Sequence, residues 1–202
     1  DLPVPQVMAL PVDAVRAIAA GSIPDTGALA ARFGAAPLLA VRSSPANPDW
    51  GGPRTVLNVG MNAARHAELS AAHGAAIADA LYLKFVQSYA IHVARLDPDM
   101  FSDEPSATAL AAALAAYEAE MDEEFPQSPA QQLSEVLRSM ARAWEGTTAR
   151  LLRQAKGAPA DAALGLLVQD MVQMVGPGLA GFGTMQLVDS VTGAPQVTGR
   201  FR

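Results

Sequence analysis

AVRSSPANPDWGGPRTVLNVGMN, residues 40–62, links two short apolar runs, and the fold turns on how it is read. PLLAV at 37–41 and TVLNVG at 55–60 are bounded by turn-forming residues, which predicts two strands. Between them the chain offers Arg42, Ser43 and Ser44, then crosses prolines, Trp50 and the Gly51–Gly52 pair before Arg54. A loop of this kind can cradle an anion. A guanidinium presents paired donors to phosphoryl oxygens, and backbone N–H groups around Ser43, Ser44, Gly51 and Gly52 can line the cradle. It can equally be an ordinary turn, with Arg42 paired to a nearby carboxylate. The spacing is neither that of a Walker A loop nor that of a dinucleotide fingerprint.

Outward from this segment the chain punctuates itself clearly. Upstream, Pro11 stands near a helix start, Val12, Val15 and Ile18 recur at helical spacing, and Gly21 can end the helix. DTGALAARF at 25–33 predicts a second short helix closed by Gly34. Downstream, residues 62 to about 155 read as mostly helical. ADALYLKFVQSYAIHVARL at 78–96 sets Leu81, Phe85, Tyr89 and Val93 on one stripe, a core face, and Asp97–Pro98 stops it. Ser106 caps an acidic helix running to Glu124. Ser128–Pro129 opens the next helix, which carries Leu133, Leu137, Met140 and Trp144. KGAP at 156–159 is a break. LGLLVQDMVQMV at 164–175 fits a buried strand or a buried helix, and the turn signals around TMQLV predict a hairpin. The expected fold class is α+β: residues 1–61 an α/β part, 62–157 a helical insert and 158–202 a β-rich return.

Composition bounds the function. The 202 residues suffice for one substantial domain or two small lobes. Half of them are hydrophobic and 17% charged, which rules out global disorder. A formal charge of −6 argues against non-specific nucleic-acid binding. With no cysteine there is no disulfide, thiolate catalysis or thiolate-bound metal. No stretch nears eighteen uncharged apolar residues, so no membrane span is expected. DLPVPQVMAL does not resemble a signal peptide, which makes the cytoplasm the default location. It also lacks an initiating Met, and the last residues read as a strand, so the chain is expected to be part of a longer one.

Several stretches together carry a family likeness. LPVP at 2–5, VRS at 41–43 with TVLNVGMN at 55–62, and YLKFVQSYAIHV at 82–93 come in order. FPQSPAQQL at 125–133, close to FPQ-x-P-x-x-QL, follows, then Trp144, Ala149 and Arg153, VQDMV at 168–172 and TG at 192–193. The chain resembles, along nearly its whole length, the N-terminal nucleotide-binding region of the pyruvate, phosphate dikinase family.

The resemblance implies a partial ATP-grasp-like lobe that binds ATP with Mg²⁺. In that family ATP phosphorylates a histidine on a separate swivelling domain, which relays the group to pyruvate. It implies a downstream phosphohistidine domain or a partner protein, and leaves homo- or hetero-oligomers open. Arg42 would neutralise the transferring phosphoryl group. Arg42, Ser43, Ser44, Arg54 and Gln169 would meet ATP, and Asp189, the acidic side chain of the late hairpin, would be the metal ligand. Gln169, or Gln173 beside it, can instead be a buried structural glutamine.

The departures fall at charge-handling positions. Family arginines are replaced at Ala46 and Val188, the Gly-Met-Met-Asp-Thr loop by Gly51-Gly52-Pro53-Arg54-Thr55, and a late acidic residue by Arg200. The Ser-Gly-Thr-Gly turn becomes Ala180-Gly181-Phe182-Gly183. Arg54 then either substitutes for a lost arginine or marks a lapsed site. The alternative function is a pseudoenzyme, a non-catalytic scaffold or regulatory subunit. His66, His73 and His92 are not at metal-ligand spacing, and the resemblance puts the phosphorylated histidine elsewhere. The acidic residues from Glu118 to Glu124 read as a solvated helix end or a patch for a basic partner.

Overall fold

Both apolar runs beside the opening segment are strands, and the computed structural model places them in a four-stranded antiparallel sheet. The structure describes residues 4–102, 104–172, 181, 183–189 and 191–201. Strands β1 (Val7–Leu10), β2 (Leu39–Pro45), β3 (Val56–Val59) and β4 (Leu164–Asp170) lie in the order β1-β4-β2-β3. The segment at 164–175, open between strand and helix, is therefore a strand over its first seven residues. Leu164, Leu166 and Val168 alternate into the core, so Gly165, Leu167 and Gln169 face the other way. Gln173 lies outside the described residues. The first strand lies at Val7–Leu10, and part of the LPVP stretch lies outside the described residues.

One local expectation is corrected. The strand expected to end at 41 continues to Pro45, so Arg42, Ser43 and Ser44 do not belong to a loop. They stand opposite Leu167, Leu166 and Gly165 of β4. A polar run sustains a strand when one sheet face is open and the backbone still finds ladder partners. The connection starts only after Pro45. It contains a 3₁₀ turn at Pro48–Trp50, capped by the Asn47 side chain, and turns back at Gly51, whose φ is 75°.

Seven helices complete this unit: α1 (Val12–Ala19), α2 (Thr26–Ala31), α3 (Ala63–His73), α4 (Ala75–Tyr89), α5 (Ala107–Met121), α6 (Pro129–Glu145) and α7 (Thr147–Ala155). Asp25, Ser106 and Ser128 cap α2, α5 and α6 by accepting the N–H groups of Ala28, Ala109 and Gln131. Helix α6 lies on β2, β3 and β4, with α1 and α2 packed beside it, while α4 meets β3, α3 and α5. Its buried stripe of Leu133, Val136, Leu137, Met140 and Trp144 closes against Val41, Val56, Leu166 and Val168. Phe85 and Tyr89 of the predicted α4 stripe are fully buried, and Leu81 and Val93 pack partly buried against the same core. The helix expected to run to 96 ends at Tyr89. A π-helical turn, Ala90–Ala94, follows, and Arg95 closes it in the left-handed region at φ 67°.

The chain divides into two compact units, one ending at Met171 and the other beginning at Val172. The second contains the expected hairpin, β5 (Gly183–Val188) paired with β6 (Pro195–Phe201). The architecture is α+β: helices packed on a small antiparallel sheet, and a separate β-hairpin.

Candidate functional site

The pleat of β2 sorts the residues expected at the phosphate loop onto two faces. Val41 is opposite buried Val168, so residues 41, 43 and 45 face the helices, and 40, 42 and 44 face away. On the outward face Arg42 Nε donates to Gln169 Oε1 at 3.1 Å, across neighbouring strands. That bond uses one of the five guanidinium donors and leaves the remainder of the fork open. Arg42 and Ser44 are exposed, and Val7 on the same face is 47% exposed. Gln169 is half-buried and orients the arginine along the sheet.

Ser43 belongs to the opposite face. Its hydroxyl lies so near Gly52 that a Cβ there would sit 2.9 Å from Oγ, and the Trp144 ring lies beyond. Gly52 therefore serves close packing of the connection over α6. Trp144 is in turn stacked under the Arg153 guanidinium, 3.6 Å from its ring centroid, and Arg153 donates to the Trp144 carbonyl at 2.6 Å. Arg54 is exposed, and its charge acts on His92. Burial, then Arg54 and Arg95, hold the His92 pKa below its usual value. The structure thus brings together Arg42 and Gln169, with Ser44 on their face. It sets Ser43 against Gly52 and Arg54 within electrostatic reach of His92.

In the hairpin unit, Asp189 Oδ1 accepts the N–H groups of Val191 and Thr192, both at 2.8 Å. These bonds, that of Thr192 foremost, lower its pKa. The Asp189 carboxylate caps its own turn, and among the described residues no three His, Asp or Glu side chains gather as metal ligands. Asp189 thus offers a single carboxylate whose Oδ1 is held by its own turn.

The sequence tags that carried the family likeness prove to be interlocked. Gln132 is wholly buried; its Oε1 accepts the Gly60 N–H at 2.8 Å, and its amide donates to the carbonyls of Met61 and Pro126 at 2.8 and 2.6 Å. Gln127 accepts the Ala63 N–H at 2.9 Å and donates to the Tyr82 hydroxyl at 3.2 Å. Gly60 has φ 107°, and a Cβ there would strike the Pro37 carbonyl. The FPQSPAQQL element thus clamps the backbone that follows β3. Neither glutamine was read as a structural clamp from sequence, although two glutamines around a proline-started helix are the signal.

His66 bonds Asp79 at 2.7 Å, tying α3 to α4. A further polar group, Arg95, Glu135, Arg138, Ser139 and Arg142, gathers where the π turn meets α6. Sequence reasoning missed it, although the last four recur at helical spacing. No protein-family model matches the chain, and no curated protein matches it.

Proposed function

We propose that the chain is a nucleotide-facing lobe of the pyruvate, phosphate dikinase type, ATP-grasp-like in design, serving phosphoryl transfer from ATP in a complete protein. The observation that carries this reading is the Arg42–Gln169 pair on the outward sheet face. It holds a guanidinium with free donors where an extended polyphosphate can lie along the strands. In this reading Arg42 binds and neutralises phosphate oxygens, Gln169 keeps it in position, and Ser44 offers a hydroxyl on the same face. ATP supplies the phosphoryl group. The acceptor is a histidine of a downstream domain or partner protein, and metal ligands come from outside the described residues.

A second reading, the non-catalytic scaffold, has its own support. Ser43 does not share the Arg42 face, and Ala46, Val188 and Arg200 stand where the resemblance expects charges. Calorimetry with Mg-ATP separates the two. Micromolar binding by the chain, weakened at least about tenfold in Arg42→Ala, is expected from the nucleotide lobe. Undetectable binding, or binding indifferent to Arg42, supports the scaffold.

A further inference from the structure

The π turn after α4, the end of α5 and one face of α6 enclose a cleft of about 440 Å³, within the usual range of small-ligand sites. We propose that this cleft binds a small organic anion, through a phosphate or carboxylate group gripped by Arg95, Arg138 and Arg142.

The concentration of positive charge is the first ground. Arg138 and Arg142 are four residues apart on α6, where like charges repel. Arg95 reaches the same cleft from the π turn. The two ion pairs among the described residues are Arg65–Glu68 and His66–Asp79, so none of the three arginines has a carboxylate within 4.0 Å there. Two carboxylates line the cleft as well and are outnumbered by the three guanidiniums: Glu123, and Glu135, which is bonded by the Tyr89 hydroxyl and the Gln131 amide and lies within electrostatic reach of Arg138. An oxyanion relieves the repulsion and takes paired guanidinium donors.

The backbone is the second ground. A π turn and a non-glycine residue at positive φ each cost free energy and concentrate at functional sites. Both occur here, at Ala90–Ala94 and Arg95. Ser139 makes the arrangement specific: its hydroxyl donates to the His92 carbonyl at 2.7 Å and accepts from Arg95 Nη2 at 3.3 Å. It thereby ties the π turn to α6 and positions the Arg95 side chain. The remaining wall suits an organic body, with Val93, Ala94 and Met121 apolar and the Tyr117 hydroxyl a donor. Burial and Glu123 push that hydroxyl to about 12, so it stays protonated at neutral pH.

The test is calorimetric titration of the chain with inorganic phosphate, glycerol phosphate and succinate. Saturable binding of a phosphate probe or of succinate is expected, and which one binds identifies the anionic group. Arg138→Ala and Arg142→Ala should each weaken it about tenfold or more. Ser139→Ala should weaken it less, by releasing Arg95, and Arg32→Ala, at an exposed arginine outside the cleft, should leave it unchanged. Should Arg138→Ala unfold, Arg142→Gln at an exposed position gives the same reading. No saturable binding of any probe at millimolar concentration, or binding indifferent to the arginine replacements, would overturn the proposal.

Discussion

Arg42 and Arg54 show how little a residue type says before its strand register is known. Twelve positions apart in a segment read as one loop, they have different surroundings: Arg42 bonds Gln169 on the outward face, and Arg54 acts on His92. The second placement makes a prediction. Removing the charge in Arg54→Ala should raise the His92 pKa toward its ordinary 6.5, because Arg54 is one of two cations holding it down after burial. An NMR titration of the imidazole would read this, and an unmoved value would refute the placement. The stability sign follows. His92 is neutral in the fold, so its contribution is present above 6.5 and is lost as pH falls through the lowered folded-state value. Arg54→Ala should narrow that acid-side loss. None of this was legible in the sequence, because the electrostatic influence of Arg54 on His92 acts between the loop before β3 and the π turn after α4.

Elements were far more legible than sites. Ser106 and Ser128 cap the helices predicted from them, since capping is local chemistry that a short window contains. The end of β2 was misread because Arg42-Ser43-Ser44-Pro45 has the composition of a loop. Only the partner strand β4, more than a hundred residues on, supplies the ladder that keeps it extended. The strand nature of 164–170 stayed open for a related reason: Leu167 faces away from the core and spoils the alternation. The glutamine clamp is the strongest link between elements. Gln132→Ala should strand the Gly60 N–H and the Met61 and Pro126 carbonyls, at about 1–3 kcal/mol for each group left unsatisfied. Chemical denaturation would measure it, and a loss below about 1 kcal/mol would mean that water replaces the amide.

At the scale of the whole molecule, the family likeness and the chemistry separate. The stretches VLNVGMN and FPQSPAQQL hold each other together through Gln127 and Gln132. Under the proposed function, a lobe's frame is retained while its nucleotide chemistry rests on very few side chains. In the proposed function that burden falls on Arg42, which bonds Gln169. Asp189 lies in the hairpin unit and is occupied with its own turn. The most direct measurement is the NMR signal of the Arg42 side-chain Nε–H during titration with Mg-ATP. The account predicts a saturable shift of that signal, reduced in Gln169→Ala. An Arg42 signal that stays fixed while ATP binds, or no binding at all, would contradict it.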